Sequence, residues 1–304
     1  MNPTLLCLAI AMTAVCTSRG ADPTPINLWP GTPPGETGRF EPEHDTSVPG
    51  HDLIAGRPII RLGDVTVPTM TVYTAPADRA TGTGIVIFPG GGISILAYDL
   101  EGTEVCNWLN SIGVTAVLVK YRVPVRPGRE KFAAALEDGQ RAVGLVRSRA
   151  AEFGIDPNRI GTLGFSAGGG LSARVCASAG APRVYAAVDA ADAVNSRPDF
   201  QVLIYPGDLI VPRTLTLSPA VSVTPSTPPT FLAMAQNDPV HVEQVLAYAI
   251  ALQATAVPME LHVYPTGGHG YGMRPTKHYV TTWPARLADW MRSRGLLEAA
   301  AATP

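Results

Sequence analysis

The chain has 304 residues, 46% hydrophobic and 16% charged, with 23 basic against 25 acidic side chains and a formal net charge of −2. A chain of this length buries a large core, and one domain of about 250 residues or more is ordinary for an α/β fold. The near balance of charge argues against nucleic acid or an anionic membrane as partner, since either calls for a basic patch, and the body of the chain holds no apolar run of the roughly 18 residues needed to span a bilayer.

The amino-terminal residues stand apart. Leu5 to Val15 is an apolar run broken only by Thr13, the length of a signal-peptide core and too short for a spanning helix. Ser18 and Gly20 are small residues suited to cleavage after Gly20, although no Lys or Arg precedes the apolar run. The expectation is a signal peptide over 1–20 and a secreted or periplasmic protein. Val15 is too bulky a neighbour for Cys16 to serve as a lipoprotein site. Without the leader only Cys106 and Cys176 remain, both in helical patterns. Two cysteines make no disulfide framework, so buried free thiols are expected. No Cys/His cluster has zinc-like spacing.

Residues 21–56 are rich in Pro, Gly and charge and read as an irregular arm. RPIIRL (57–62) and PTMTVYTA (68–75) read as two strands of a meander. GIVIFP (84–89) is a continuous apolar run ending in three glycines, the mark of a buried parallel strand. Helical spacing over 99–112 leads to a second such strand, VTAVLVKY (114–121). A long helix over 131–151 places Phe132, Ala135, Leu136, Val143 and Val146 on one face. RIGTLGFS (159–166) is a strand, 167–178 a helix of small residues, and DFQVLIYP (199–206) a further strand. A Pro/Ser/Thr-rich stretch to Pro229 has little pattern and is expected to be mobile. PTFLAMAQ (229–236), a helix over 239–255, MELHVYPT (259–266) and a last helix over 282–294 complete the run, with a tail over 297–304. Strands alternating with helices predict a mostly parallel, doubly wound α/β sheet flanked by helices, over 57–296.

Three segments carry chemistry. Gly164-Phe165-Ser166-Ala167-Gly168 follows a strand and opens a small-residue helix. A hydroxyl is a poor nucleophile unless it is exposed, held in strained geometry and served by a base, and a sharp strand-to-helix turn flanked by glycines provides that exposure. A bare match to this pattern is weak, and its strand–turn–helix context is what points to a nucleophile. Pro89-Gly90-Gly91-Gly92 ends a buried strand, where glycines let backbone N–H groups turn toward a ligand. With Ala167 N–H, donors from this loop can converge on a tetrahedral oxyanion.

Six histidines compete for the base: 44, 51, 241, 262, 269 and 278. His262 falls inside a strand, His44 and His51 in the arm, and His241 in a helix. His269, in Pro265-Thr-Gly-Gly-His-Gly-Tyr271, follows the last strand in a glycine-rich loop at the sheet's carboxyl edge. A neutral imidazole is needed for it to act as base. The acid belongs between Ser166 and His269 in chain order. Asp238 follows a strand and precedes a helix beginning at Pro239, so it reads as both a helix cap and the group that orients His269. Asp208 is the rival; Asp189, Asp192 and Asp199 come too early.

These segments, together with FPGGGISILAYDLEGTEVCNWLNSIGVTAVLVKYRVP, RPDFQVLIYP and NDPVHVEQ, resemble the bacterial α/β-hydrolase esterases related to acetylxylan esterases and feruloyl-esterase-like enzymes, over about residues 57–295. The resemblance implies an α/β-hydrolase catalytic domain with nucleophile, acid and base at Ser166, Asp238 and His269. It places the oxyanion donors at Gly91, Gly92 and Ala167. Many relatives carry two acids where this chain has Asn237-Asp238, which leaves Asp238 as the single acid of the pair. Pro89 stands where lipase-like cousins have a histidine, which points to the carbohydrate-esterase branch.

The implied activity is acyl transfer from short-chain, chiefly acetyl, esters of plant or algal polysaccharides, with no metal or organic cofactor and no nucleic-acid partner. A prolyl-oligopeptidase-like peptidase and a lipase would use the same three residues. The peptidases bring a propeller domain, which no segment here resembles, and a lipase wants a larger apolar lid. A catalytically dead binding protein would not need all three residues, and a glycosidase would need paired carboxylates across a cleft.

Overall fold

The structure is a computed structural model that describes residues 23–36, 38–51, 53–178 and 182–299. The expected leader over 1–20 and the end of the tail lie outside the described residues. In chain order the elements are β1 (Ile26–Asn27), β2 (His44–Asp45), β3 (Arg61–Gly63), β4 (Thr69–Tyr73), β5 (Gly84–Phe88), β6 (Leu96–Ala97) and α1 (Glu104–Ser111). Then come β7 (Thr115–Lys120), α2 (Ala133–Ser148), β8 (Ile160–Phe165), α3 (Ala167–Ala177) and β9 (Phe200–Ile204). β10 (Thr230–Ala235), α4 (Glu243–Ala254), β11 (Met259–Tyr264) and α5 (Trp283–Ser293) close the fold.

Among the described residues, eight strands form one sheet in the order β1-β4-β7-β5-β8-β9-β10-β11. The six from β7 to β11 run parallel; β4 is antiparallel to β7, and β1 to β4. The continuous apolar strands read from the sequence follow from this geometry, because helices cover both faces. Successive side chains of a strand point to opposite faces, and the core divides accordingly. Ile85 and Ile87 of β5 pack on one side with Val105 and Leu109 of α1, Tyr248 and Leu252 of α4, and Trp283 and Leu287 of α5. Val86 and Phe88 pack on the other with Val143 and Val146 of α2 and Leu171 of α3. Each such buried Val, Leu, Ile or Phe contributes about 1.5–3 kcal/mol. Cys106 and Cys176 are free and buried. Burial pushes the Cys176 thiol up to about 12 and the Cys106 thiol upward as well.

Several expectations are corrected. β3 and β4 are not partners in a meander: β3 joins β2 and β6 in a separate three-stranded sheet, while β4 lies between β1 and β7. The arm contributes two short strands, and it buries Leu28 and Trp29 in the core. Trp29 Nε1–H donates to Asp138 at 2.8 Å, and the Asp138 carboxylate also holds buried Arg122. At the far end of the arm, buried Arg274 donates to the carbonyls of Arg57 and Pro58 at 2.9 and 2.8 Å and pairs with Asp99 and Glu104. The stretch after β9 is pinned: Gln244 Oε1 accepts from Leu209 and Ile210 N–H, and Ile210 bridges to Leu217. Among the described residues no helix is long and apolar enough to cross a membrane.

Candidate active site

The site lies at the carboxyl edge of the sheet, where such folds place ligands. β8 ends at Phe165, and α3 begins at Ala167. Ser166 sits between them at φ +51°, ψ −123°, a conformation that costs a non-glycine residue about 1–3 kcal/mol. The surroundings enforce it. Its carbonyl accepts N–H bonds from Gly169, Gly170 and Gly207 at 3.0, 3.2 and 2.9 Å. The flanking glycines have no room for a side chain. A Cβ on Gly164 would stand 2.2 Å from Gly168 O, and one on Gly168 2.1 Å from Phe88 O.

His269 hangs in the loop after β11. Its Nε2 is 2.8 Å from Ser166 Oγ, and its Nδ1 lies 2.8 and 3.0 Å from the two carboxylate oxygens of Asp238. With the ring proton on Nδ1 donated to Asp238, Nε2 is left as acceptor for the serine hydroxyl. Asp238 is only 4% exposed, and its Oδ1 also accepts Val240 N–H at 2.8 Å. It is not the cap of a helix starting at Pro239: α4 begins at Glu243, and His241, assigned to that helix from sequence, is an exposed loop residue at φ +72°.

The glycine loop after β5 makes a tight turn. Ser94 and Ile95 N–H donate to Gly91 O, and Gly91 and Gly92 have φ of +132° and +70°. A Cβ on Gly91 would meet Ile95 O at 2.0 Å. Gly90 N–H is committed to Glu101 Oε2 at 2.6 Å, which leaves Gly91, Gly92 and Ala167 as the candidate oxyanion donors. Two clefts share Ser166 and Gly92. One of about 820 Å³ is lined also by Ala167, Asp208, Ile210, Leu215, Val240 and Glu243. The other, of about 340 Å³, is lined also by Gly91, Ile54, Ile59, Ile95, Leu100 and His269.

The other candidates lie apart. Asp208 pairs with Lys131 at 2.9 Å. His262 bonds Glu260, His278 meets Thr266, and His44 meets the Pro42 carbonyl. His51 stays in the arm. Three residues went unread in the sequence. Asn237 Oδ1 accepts Gly267 and Gly268 N–H at 3.0 Å each and so braces the histidine loop. The Tyr205 ring stands edge-on to His269, 5.0 Å between centroids. Glu101, 3% exposed, is the third; burial raises its carboxyl above the usual range, opposed by its bonds to Tyr205 and Gly90. Only adjacency to Asp238 hinted at Asn237, and nothing local marks the other two.

Comparison with known proteins is consistent with this architecture. A family model described as alpha/beta hydrolase fold matches residues 85–218, and one of the prolyl oligopeptidase family matches 211–294. An acetyl ester-xyloside bifunctional hydrolase from Caldicellulosiruptor lactoaceticus superposes with a TM-score of 0.70 at 31% identity, covering 92% of this chain and 99% of that one. A carboxylesterase of Mycobacterium tuberculosis is 30% identical over 66% of this chain and 70% of its own length. An acetylxylan esterase of Xylanibacter ruminicola is 27% identical over 71% of this chain, which spans 46% of that longer protein. The sheet order and its helical cover define an α/β-hydrolase fold. The chain belongs to the α/β-hydrolase family, among its carboxylic-ester hydrolases.

Proposed function

We propose that this chain is a serine esterase that removes short acyl groups, acetyl above all, from esters of plant or algal polysaccharides by way of an acyl-enzyme on Ser166. The observation that carries the reading is the unbroken relay Ser166 Oγ, His269, Asp238, with spacings of 2.8 and 2.8 Å. In this mechanism Ser166 Oγ attacks the ester carbonyl carbon while its proton passes to His269 Nε2, and Asp238 stabilises the resulting imidazolium. The carbonyl oxygen, now anionic, takes N–H bonds from Gly91, Gly92 and Ala167. His269 returns the proton to the leaving alkoxide, and the alcohol departs. Water then repeats the sequence on the acyl-serine, releasing the acid and restoring the hydroxyl.

Ser166 stands where the two clefts meet, so the two halves of an ester can lie on opposite sides of it. The larger cleft is rimmed by Asp208, Arg213 and Glu243 beside exposed Leu215. That wall suits a sugar better than a long alkyl chain. The acetylxylan esterase and the acetyl ester-xyloside hydrolase among the relatives support the same substrate class. Export after Gly20 belongs to this reading, since polymeric substrates lie outside the cell.

A panel of nitrophenyl acetate, butyrate and octanoate, acetylated xylan, and a proline nitroanilide tests it. Acetate and acetylated xylan should be turned over fastest. Octanoate faster than acetate would refute the short-acyl assignment, and nitroanilide faster than every ester would favour the peptidase that the 211–294 match brings forward.

A further inference from the structure

We propose that Glu101 is a positioning residue that locks the oxyanion loop and the histidine loop to one another around the nucleophile. The proposal rests on the reading of Ser166 and His269 given above.

Glu101 lies in a wide helical turn ahead of α1, where Thr103 N–H bonds Tyr98 O and Glu104 N–H bonds Asp99 O, five residues back in each case. Such π turns interrupt the ordinary helical register and cluster at functional sites. Here the turn buries Leu100, Glu101 and Gly102 together. It is fixed from outside by Asp99, whose Oδ1 accepts Ile60 N–H at 2.8 Å and whose Oδ2 meets Arg274 at 3.0 Å.

The Glu101 carboxylate reaches two loops at once. Oε2 accepts Gly90 N–H at 2.6 Å, at the start of the glycine turn that carries Gly91 and Gly92. Oε1 accepts the Tyr205 hydroxyl at 2.9 Å. The same hydroxyl oxygen accepts Gly272 N–H at 3.0 Å, three residues past His269, and Gly272 O accepts Trp283 Nε1–H at 2.8 Å. A relay of four hydrogen bonds thus runs from the oxyanion loop, under the site, to the base's loop and on to α5. Tyr205 is itself held at φ +38°, a strained backbone for a side-chain-bearing residue. A Cβ on Gly90 would fall 2.6 Å from Glu101 Oε2 and 2.8 Å from both Phe165 O and Ser166 Cβ, so the first glycine of the motif admits the carboxylate and the nucleophile turn together.

Burial opposes the charge of the carboxylate, and its two hydrogen bonds, from Gly90 N–H and the Tyr205 hydroxyl, work against that penalty. His269 and Arg61 face the carboxylate and favour its charge; the phenols of Tyr121, Tyr205 and Tyr271, all buried, face it from the other elements. Glu101 therefore sets where the oxyanion donors and the base sit relative to one another.

Glu101→Gln separates this role from packing. The amide keeps the shape and can still accept from Gly90, with its NH₂ donating to the Tyr205 oxygen. The measurements are kcat and KM on nitrophenyl acetate from acid to alkaline pH, rates of fluorophosphonate labelling, and thermal unfolding, for Glu101→Gln, Tyr205→Phe, the double variant and Ser166→Ala. Glu101→Gln should lower kcat by about 10- to 100-fold with KM changed by less than about threefold. Tyr205→Phe should cost less, and the double variant should be no worse than Glu101→Gln alone, since both break one relay. A Glu101→Gln enzyme with wild-type kcat, or one whose KM rises while kcat holds, would overturn the proposal, as would effects of the two substitutions that simply multiply. Retained activity in Ser166→Ala would instead sink the underlying reading, so the two failures are told apart.

Discussion

Asn at position 238 would preserve nearly every contact of Asp238 and still reverse the histidine. The Asn oxygen can keep Val240 N–H, which Asp238 Oδ1 accepts at 2.8 Å. The amide NH₂ would then face His269 Nδ1, where the carboxylate now sits 2.8 Å away. An NH₂ cannot accept a proton, so Nδ1 must become the acceptor and the ring proton must move to Nε2. Nε2 would then point a hydrogen, not a lone pair, at Ser166 Oγ 2.8 Å away. A base in the wrong tautomer costs about 10³ to 10⁴ in kcat, or about 4–5.5 kcal/mol of barrier. Because the side chain is isosteric, Tm should move by only a few degrees. Asp208→Asn is the control: it breaks a half-exposed pair with Lys131, worth about 1 kcal/mol at most, and should change kcat by less than about tenfold. Initial rates on nitrophenyl acetate with both proteins at matched folded fraction decide it. If Asp208→Asn were the crippled one, the relay would be Ser166, His269 and Asp208, and the geometry argued above would be irrelevant to turnover.

Ser166→Ala should fold normally, lose turnover to the detection limit and lose fluorophosphonate labelling; a probe adduct mapped to another serine would refute the nucleophile. Gly168→Ala drives a methyl to 2.1 Å from Phe88 O and 2.5 Å from Pro89 O, backbone atoms that cannot step aside. It should cost about 1–3 kcal/mol or more, read as a drop of several degrees in Tm, and an unchanged Tm would contradict the packing described. Cys106 and Cys176 are buried with their thiols pushed upward. At pH 8 N-ethylmaleimide should therefore modify neither in the native protein and both in urea, as judged by peptide mass mapping; rapid native labelling would show the helices packing more loosely than described.

The sequence announced the architecture where a residue's environment is decided by its neighbours in the chain. GIVIF and TAVLVK are apolar without interruption because both faces of those strands are covered, and periodicity alone shows that. Ser166 and His269 were legible because each sits in a glycine context that only a tight turn at a strand's end requires. Partner choice was not legible. The segments around β3 and β4 look alike as short strands, yet they join different sheets, since pairing is set by tertiary contacts and not by alternation. β1 is two residues long, too short to show a period, so the burial of Trp29 was hidden in a Pro/Gly-rich arm. The start of α4 was misplaced because Asp238, with the composition of a cap, spends its carboxylate on His269 and Val240 instead. Glu101 illustrates the limit most plainly. Its partners are Gly90, 11 residues away, and Tyr205, 104 residues away, and in a helical pattern it reads as one more solvated glutamate.

The Arg274 clasp on the arm has a consequence for the order in which the molecule is completed. Its guanidinium closes on carbonyls more than two hundred positions earlier, 217 residues back at Arg57 and 216 at Pro58. Another such tie runs 213 residues from Thr83 to Leu296. Contacts this distant in sequence form late, after the entropy of closing the intervening loop has been met. A nascent chain that stops short of Arg274 already contains every strand of the sheet and Ser166 itself, yet residues 54–58 are then tied to α1 by the Arg57–Glu104 pair alone, without the Arg274 clasp. Ile54 of that stretch and the adjoining Ile59 wall the smaller cleft, so an emerging polypeptide contains Ser166 well before the clasp that completes this wall beside it.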